Sequence, residues 1–494
     1  MPKLSLVAIA IASVASSYVL ATGCSSKDDP GNPAVSDTGT TADAGAELTK
    51  FSPKGCAYTV ARTKVEQLGM FELHADVASA DPQLKNVRRG LGGEVDHGTA
   101  AYADPSKSFT VGWQTEVSTL ASRIRYGESP DKLDQAADGF SFVIPQQIKI
   151  GPEDGLRFHE VHVCGLTPGR TYHYQVGGGA PGKEVWSPVY STSTAPAAKD
   201  AVKIGISGDS RDELGRTELP VWRSIAGRYK ADGTHLVLFS GDMVLMGVNQ
   251  DNWDRWMTAT GVSGTSVFYA LSPGNHENEQ ARAFAHMLMP GAATANAERY
   301  SSFDYGPVHI VMIDDYPGIV SSSIDDTAHR EELLAWLDAD LTKANANRAA
   351  VPWIVTFHHH PFYSDTTRTE RAKDMASVRG ALQALWDKHK VDVDLAGHDH
   401  FYERFRPLLA GEKEDAKGTT YMVNGASGAP SYGLLEATPL AAFKTRYDPD
   451  KGEGIYGIAT VDTASFKVKM YKLAASGSTP ADDTVIDEFE VAKK

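Results

Sequence analysis

The sequence predicts an all-β sandwich followed by an α/β domain, and two observations favour that fold class. Between residues 100 and 194, short runs with strand-like alternation are separated by turn residues, which is typical of a small antiparallel sandwich. Beyond residue 201, apolar strands alternate with longer amphipathic segments, as they do in α/β domains. A chain of 494 residues is long enough for two or three domains with buried cores.

The first residues have the pattern of an export signal. Lys3 precedes an apolar run, and small residues lead to Cys24. The segment resembles a bacterial lipoprotein signal with Cys24 as the acylated residue, although Ala21 stands where such signals usually have leucine; a permanent transmembrane helix is the weaker alternative. We therefore expect a signal peptide at 1–23 and an exported lipoprotein that faces the periplasm or cell surface, in contact with the membrane only through lipid on Cys24.

The next segments predict a tether and then the sandwich. Residues 24–50 are mostly Ser, Thr, Asp, Gly, Pro and Ala, which cannot bury a core, so we expect a flexible linker. The sandwich is expected at 51–196, although the stretch between 51 and 102 carries fewer signals. Its predicted strands are SFTVGWQT, ASRIRYG, GFSFVI, FHEVHVCGL, TYHYQVGGG and WSPVYSTST. The segment CGLTPGRTYHYQV resembles a fibronectin type III domain.

The second domain is expected at 201–494, after the linker TAPAAKDA. Its predicted strands are VKIGIS, HLVLFS, VFYALS, HIVMID, WIVTF and VDVDLA. Its predicted helices include LPVWRSIAGRYK, AHREELLAWLDADLTKA and VRGALQALWDKHK, in which Trp222, Trp336 and Trp386 fall on apolar faces and are expected in the core.

Cysteine content and charge narrow the setting of the protein. If Cys24 carries lipid, Cys56 and Cys164 remain as an even pair in an oxidising compartment, which predicts a disulfide; two separate buried thiols are the alternative. The formal net charge is −15, and no run rich in Lys and Arg suggests a basic groove. Nucleic acid is therefore not expected as a partner.

Polar clusters follow several of the predicted strands. The clusters contain Asp209, Asp242, Asn275 with His276, the run His358 to His360, and His398 with His400. In open α/β sheets, ligands collect beyond the carboxyl ends of the strands, so these clusters should converge. The glycine before most of them should allow the chain to turn sharply. Carboxylates, an amide and imidazoles suit metals such as Fe, Mn or Zn, and two ions bridged by one carboxylate could polarise a phosphoryl oxygen and generate hydroxide.

The series GDS, GDMVL, GNHE, HHHP and GHDHFYER resembles the metallophosphoesterase superfamily, and the preceding sandwich makes the sequence similar to its purple acid phosphatase branch. The resemblance implies a four-layer β-sandwich flanked by helices, and a centre of two metal ions, Fe with Fe, Mn or Zn. By position it implies the following ligands: Asp209 and His400 on the first ion, Asp242 as the bridge, and Asn275, His359 and His398 on the second.

Two positions depart from the pattern of the family. Leu245 stands where purple enzymes have a tyrosine ligand, and Arg211 stands where other members of the superfamily have histidine. The first ion would therefore lack one protein ligand, which either Asp212 or water could replace. Arg211 could bind substrate phosphate through its planar guanidinium, or pair with Asp212 or Glu213.

Three histidines next to the ligands are candidate catalytic groups. His276 is the best candidate for the general acid that protonates the leaving alkoxide, because imidazole can deliver a proton near neutral pH. His358 and His360 could contact the substrate, or each could orient a ligand through a hydrogen bond. We expect an acid phosphatase-like hydrolase of small phosphomonoesters that uses a hydroxide generated by the metals. The alternatives are a phosphodiesterase on the same centre and a degenerate lipoprotein that binds phosphate or metal.

Overall fold

The computed structural model describes most of the chain after the predicted linker. The described residues are 50–58, 60–61, 83–91, 104–144, 156–211, 218–277, 281–288, 299–320, 327–435, 443–450, 452–474 and 479–494. The predicted signal peptide, Cys24 and nearly all of the predicted linker lie outside these residues, as do Asp212 and Glu213. Within the described ranges, none of the helices has both the length and the apolar character that crossing a membrane requires.

The first part of the described chain is built from antiparallel strands. These strands are β1 (Lys50–Phe51), β2 (Val60–Ala61), β3 (Lys85–Gly90), β4 (Phe109–Thr115), β5 (Arg123–Gly127), β6 (Gln135–Asp138), β7 (Phe140–Ile144), β8 (Leu156–Val163), β9 (Thr171–Gly178), β10 (Val185–Trp186) and β11 (Tyr190–Ser193). One sheet has the order β3-β4-β8-β7, and the other has the order β10-β9-β5-β6 with β11 also on β9. Alternate residues of both sheets, such as Val111 and Tyr174, share one buried core, so the predicted sandwich is present.

The sandwich differs from the sequence prediction at its edges. The predicted strand WSPVYSTST is split into β10 and β11, with Pro188 between them, because proline cannot donate a ladder hydrogen bond. Strands β3 and β6 were not expected. Both lie at the edge of a sheet and have polar sequences, KNVRRG and QAAD, so they lack the alternation that identifies a half-buried strand.

The predicted disulfide is confirmed. Cys56 and Cys164 are bonded across a sequence separation of 108 residues, with 5.2 Å between their Cα atoms. The bond joins the segment between β1 and β2 to the end of β8. In the chain-entropy description, closing a loop of this length contributes on the order of 4 kcal/mol to the free energy of unfolding.

The second part of the chain contains two mixed sheets and five described helices. Its strands are β12 (Val202–Ser207), β13 (Leu236–Phe239), β14 (Phe268–Leu271), β15 (Tyr300–Tyr305), β16 (Val308–Ile313), β17 (Trp353–Phe357), β18 (Val393–Ala396), β19 (Tyr402–Phe405), β20 (Leu408–Leu409), β21 (Glu412–Lys413), β22 (Thr420–Asn424), β23 (Phe443–Tyr447), β24 (Ile455–Val461), β25 (Phe466–Lys472) and β26 (Thr484–Glu490). Its helices are α1 (Pro220–Asp232), α2 (Gln250–Thr260), α3 (Ala281–Met287), α4 (Thr327–Ala346) and α5 (Ala372–His389).

The two large sheets pack face to face between helices. The first sheet has the order β14-β13-β12-β24-β25-β26, and the second has the order β15-β16-β17-β18-β22-β19-β23. Ile310 and Met312 of β16 face the first sheet, whereas Val311 and Ile313 face α4 and α5, as the two-residue period of a strand requires. Helices α1 and α2 cover the outer face of the first sheet. The fold is therefore the four-layer sandwich that the family resemblance implied.

The predicted strands and helices of this part are all present. Trp222, Trp336 and Trp386 are buried, as expected. The sequence patterns predicted no strand beyond residue 396, whereas β22 completes the parallel part of the second sheet and β24 pairs with β12 antiparallel. These strands come after the last predicted strand in the sequence, and they extend both sheets beyond the strands that were predicted.

Candidate metal centre

The predicted site residues lie at the carboxyl ends of parallel strands. Asp209, Asp242 and Asn275 follow β12, β13 and β14, which are adjacent and parallel in the first sheet. His359 and His398 follow β17 and β18, which are adjacent and parallel in the second sheet. Because the strand ends of both sheets meet at the same edge, side chains from distant parts of the sequence come into contact there.

The backbone at these strand ends adopts an unusual conformation. Asp209, Asp242 and His398 have φ angles of 53°, 55° and 67°, in the left-handed region that residues with a side chain rarely adopt. The expected turn on glycine is present at Gly241, with φ of 88°. Each strained position costs about 1–3 kcal/mol, and such positions concentrate at functional sites.

Two glycines are required at the centre because the ligands approach them closely. A Cβ atom on Gly274 would lie 2.3 Å from Asp242 Oδ1, and one on Gly397 would lie 2.3 Å from Asp209 Oδ2. Both distances are shorter than any van der Waals contact. Any side chain at these positions would therefore displace one of the two carboxylates.

One group of possible metal ligands consists of Asp209, Asp242 and His400, with one donor atom of each within 4.8 Å of the others. His400 Nδ1 is 2.6 Å from the carbonyl oxygen of Pro430, so Nε2 is the nitrogen that faces Asp209 Oδ1, at 3.3 Å. Neither His400 Nε2 nor Asp209 Oδ1 has a hydrogen-bond partner among the described residues, although both are buried. Leaving such atoms unpaired costs about 1–3 kcal/mol each unless a ligand binds them.

A second group consists of three imidazoles, those of His359, His360 and His398. His359 Nδ1 donates to the carbonyl oxygen of Ser240 at 2.7 Å, which leaves Nε2 directed into the site. His359 Nε2 lies 3.2 Å from His398 Nδ1 and 3.1 Å from Asn275 Oδ1. Two imidazole nitrogens and an amide oxygen therefore converge at one point.

Asp242 lies between the two groups. It belongs to the first group, and its Oδ1 atom is 3.4 Å from His359 Nε2 of the second. The other oxygen, Oδ2, is 3.4 Å from Arg211 Nε. One carboxylate that lies close to both groups has the position that a bridging ligand requires.

The donor atoms of these residues fit two metal ions. Carboxylate oxygens, an amide oxygen and imidazole nitrogens together suit divalent or trivalent Fe, Mn or Zn rather than softer metals. Three buried atoms of these ligands have no hydrogen-bond partner among the described residues: Asp209 Oδ1, His398 Nε2 and His400 Nε2.

Burial and neighbouring charges shift the pKa values in the centre. Burial raises the pKa of Asp209 to about 7, and the charge of Asp242 adds to that rise. Burial alone would raise the pKa of Asp242, but the charges of His359 and Arg211 outweigh it and hold the pKa below its usual value. Burial and the charge of Arg211 lower the pKa of His400 to about 3. His400 is therefore the neutral imidazole that metal binding requires.

His276 is fixed by the residue that departs from the family pattern. Its Nδ1 atom donates to the carbonyl oxygen of Leu245 at 2.7 Å. Its Nε2 atom lies 3.8 Å from Asp242 Oδ2, and 25% of the side chain is exposed. The ring thus presents one nitrogen to the centre and to solvent, as a proton donor must.

Arg211 contacts the centre. It forms an ion pair with Asp242, and its Nη2 atom donates to the hydroxyl of Tyr432 at 2.5 Å. The alternative partners Asp212 and Glu213 lie outside the described residues. The guanidinium is 11% exposed and lies beside the Asp242 carboxylate.

His358 and His360 have different surroundings. Both nitrogens of His358 contact carboxylates: Nδ1 is 2.9 Å from Asp315 Oδ2, and Nε2 is 3.2 Å from Asp394 Oδ1. Burial by itself would lower the pKa of His358, but the charges of Asp394 and Asp315 raise it to about 10. Among the described residues, His360 bonds Asp315 Oδ1 through Nδ1 at 2.8 Å, and its ring lies 4.3 Å from that of His398. His358 is thus occupied by structural contacts, whereas His360 is available to the site.

Three residues of the centre were not identified from the sequence. Buried Glu277 accepts hydrogen bonds from the backbone N–H groups of Asp242, Val244 and Gly274. Asp315, which orients His358 and His360, follows β16 and so shares the strand-end signal that identified the other clusters.

Tyr432 is the third of these residues. Its ring stacks on that of His400 with 3.8 Å between centroids. It follows the glycine-rich segment 424–430, and no spacing rule connects it with a strand end.

Two family models match this chain. The model described as purple acid phosphatase, N-terminal domain matches residues 95–194, and the model described as calcineurin-like phosphoesterase matches residues 216–402. The chain is also similar in fold to the purple acid phosphatase isolated from yellow lupin (Lupinus luteus) seeds. The TM-score is 0.67 at 18% identity, over 83% of this chain and 74% of the other.

Relatives of higher identity are found among characterised proteins. Purple acid phosphatase 21 of Arabidopsis thaliana is 30% identical over 332 residues, which cover 64% of this chain and 68% of that protein. Acid phosphatase type 7 of Homo sapiens is 30% identical over 376 residues, which cover 69% of this chain and 79% of that protein. The strand-end clusters, the two groups of metal-binding side chains and these similarities agree, and the chain belongs to the purple acid phosphatase family of metal-dependent phosphoester hydrolases.

Proposed function

We propose that this protein hydrolyses phosphomonoesters at a centre of two metal ions. The observation that carries the proposal is that Asp242 lies between two convergent groups of donor atoms, several of which have no partner among the described residues. Asp209 and His400 would hold the first ion, Asn275, His359 and His398 the second, and Asp242 both. Iron paired with Fe, Mn or Zn suits this donor set.

Bound metal would supply two functions: it would polarise the phosphoryl oxygens and lower the pKa of a water molecule. The residues of the chain would supply the rest. Arg211 lies beside Asp242 and would hold a phosphate oxygen through an N–H group of its guanidinium. His276 would protonate the leaving oxygen through Nε2, because the Leu245 carbonyl already holds the proton on Nδ1. His360, oriented by Asp315, would contact the phosphate from the other side.

Substitution of His276 tests whether this residue is the general acid or only positions the substrate. In the metal-loaded protein, His276→Ala should lower kcat for alkyl phosphates by about 100-fold or more, and much less for aryl phosphates with stable leaving groups. His173→Ala, at a partly exposed histidine of β9, is the matched control and should change neither rate. Equal losses on both substrate types would show that His276 does not act as the acid.

The reaction class has its own test. We expect turnover of p-nitrophenyl phosphate and little turnover of its bis ester, with two metal ions per chain by elemental analysis. The reverse substrate preference would identify a phosphodiesterase. One ion or none, with no turnover on any phosphate ester, would identify a degenerate binding protein and overturn the proposal.

We also propose that the protein is exported and anchored by lipid. We further propose that its two domains span residues 51–196 and 201–494. The disulfide between Cys56 and Cys164 supports an oxidising compartment, and the two family matches support the division into domains. Cys24→Ser should move the protein from the membrane fraction to the soluble fraction. A wild-type protein without lipid mass on its N-terminal peptide would contradict the anchor.

A further inference from the structure

Three arginines converge on one phenol ring at the edge of the metal centre. The guanidinium carbons of Arg368 and Arg371 lie 3.8 Å and 4.6 Å from the centroid of the Tyr432 ring. Arg211 donates to the hydroxyl of the same residue, and the ring itself stacks on His400. All three arginines thus contact Tyr432, and Tyr432 in turn contacts His400, a predicted metal ligand.

Two of these arginines are already neutralised by buried partners. Arg211 pairs with Asp242, and Arg371 pairs with Asp399 and also donates to the carbonyl oxygen of His398. Both guanidinium groups are largely buried, with 11% and 12% of the side chain exposed. Buried carboxylates of the protein therefore offset part of the charge of both arginines.

Arg368 differs from them in exposure and in pairing. Its side chain is 44% exposed, and its guanidinium makes no hydrogen bond to any residue that the structure describes. The nearest carboxylate oxygen, from Glu370, is 3.6 Å away, and that side chain is 67% exposed, so the ion pair is weak. A guanidinium stacked on an aromatic ring keeps its in-plane N–H groups free for an oxyanion.

The backbone around Arg368 is fixed before any ligand binds. Thr367 donates through its backbone N–H to the carbonyl oxygen of Gly433 at 3.3 Å and through its hydroxyl to the carbonyl oxygen of Tyr432 at 2.8 Å. Leu435 N–H donates to the carbonyl oxygen of Asp365 at 3.0 Å. The loops after β17 and β22 are thereby joined, which reduces the entropy lost when a ligand orders Arg368.

We propose that Arg368, stacked on Tyr432, binds a second phosphate group of the substrate, so that the protein prefers small molecules with two phosphates over simple monoesters. This inference rests on the proposed phosphomonoesterase function, because it places the first phosphate at the metal centre. The second phosphate would lie at the solvent-exposed edge, where Arg368 offers two parallel N–H donors.

The test measures binding of two probes that cannot be hydrolysed: propylphosphonate, and trimethylene bisphosphonate, which has a second phosphonate at the other end of the same chain. Calorimetry on the metal-loaded protein gives both affinities, and their ratio is the readout. We expect the wild-type protein to favour the bisphosphonate by about tenfold or more, which is the lower end of what a hydrogen bond to a charged group contributes. Arg368→Gln should reduce the ratio to near two. Arg368→Lys should give an intermediate value, because lysine keeps the charge but lacks the two parallel N–H donors of arginine.

Lys373→Gln is the matched control. It removes one positive charge from an exposed position at the start of α5, and it should leave the ratio unchanged. Chelation of metal by the bisphosphonate would affect all variants alike. A ratio that stays the same in Arg368→Gln would overturn the subsite, even if the protein hydrolyses propyl phosphate. Absence of that hydrolysis would instead refute the proposed function, while the ratio would still report on Arg368.

Discussion

Buried histidines occur in both parts of this protein, but they are satisfied in different ways. In the sandwich, His159 has a hydroxyl partner on each ring nitrogen, Thr115 and Ser122, both at 2.8 Å, and its ring stacks on Trp113. His162 contacts Glu160 through Nε2 at 2.7 Å and Thr110 through Nδ1 at 3.0 Å.

In the metal centre, by contrast, two histidines have one nitrogen fixed and the other unpaired among the described residues. His400 has Nδ1 on a backbone carbonyl and Nε2 without a hydrogen-bond partner in the described part of the chain, and His398 Nε2 is in the same condition. The difference teaches how to read a buried histidine. Side-chain partners outside the site on both nitrogens indicate a structural role, whereas an unpaired nitrogen beside carboxylates indicates a ligand site.

Removing the carboxylate shared by both groups should have the largest effect. Asp242→Asn keeps the size of the side chain but removes the charge that would neutralise two ions. We expect activity to fall by well over the roughly 10–100-fold that loss of an outer hydrogen-bonding partner costs. Elemental analysis should show less of both metals. Wild-type content of both metals in a folded Asp242→Asn protein would exclude the bridging role.

The comparison of histidines is tested directly by one pair of substitutions. His400→Gln should remove the first metal and lower activity by about 100-fold, and it should destabilise the metal-free protein less than His159→Gln does. His159→Gln should keep both metals and instead lower the free energy of unfolding by about 1–3 kcal/mol, because it leaves buried hydroxyl groups unpaired. Metal analysis and denaturant melts measure the two effects. Loss of metal in His159→Gln would contradict the distinction between structural and metal-binding histidines.

The smallest expected effect concerns Leu245, where the family has a tyrosine ligand. The wild-type protein should lack the strong visible band of a phenolate on ferric iron, because leucine offers no donor atom. Leu245→Tyr, loaded with iron in air, should gain the band and hold iron more tightly, since hard ferric iron favours oxygen donors. The substitution keeps the backbone carbonyl that binds His276.

Two controls decide how that spectrum is interpreted. Leu245→Phe adds a ring without a hydroxyl and should remain colourless after the same loading. A folded, iron-loaded Leu245→Tyr protein without the band would exclude residue 245 from the first metal shell. A wild-type protein that is already purple would mean that another tyrosine binds the iron. Tyr432, whose ring stacks on His400, would then be the first residue to mutate.

The sequence by itself determined the two-part fold, the strand ends that carry the site, and the disulfide between Cys56 and Cys164. These features depend on local periodicity, turn residues and a count of cysteines, and each is encoded within a short segment or by composition. Strand β25 was not predicted, although the alternation of apolar residues and lysines in FKVKMYK is typical of a half-buried strand. The edge strand β6 has no such alternation, because none of the four residues of QAAD is fully buried.

Only the tertiary structure decided which atoms of the site residues are free. His358, His359 and His360 are adjacent and chemically identical in the sequence, yet Asp315 and Asp394 occupy both nitrogens of His358, while His359 directs Nε2 into the centre. Likewise, Arg211 and Tyr432 are joined by a hydrogen bond although 221 residues separate them in the sequence. Hydrogen-bond partners at such separations depend on how the two sheets bring their strand ends together, and no local pattern in the sequence records that arrangement.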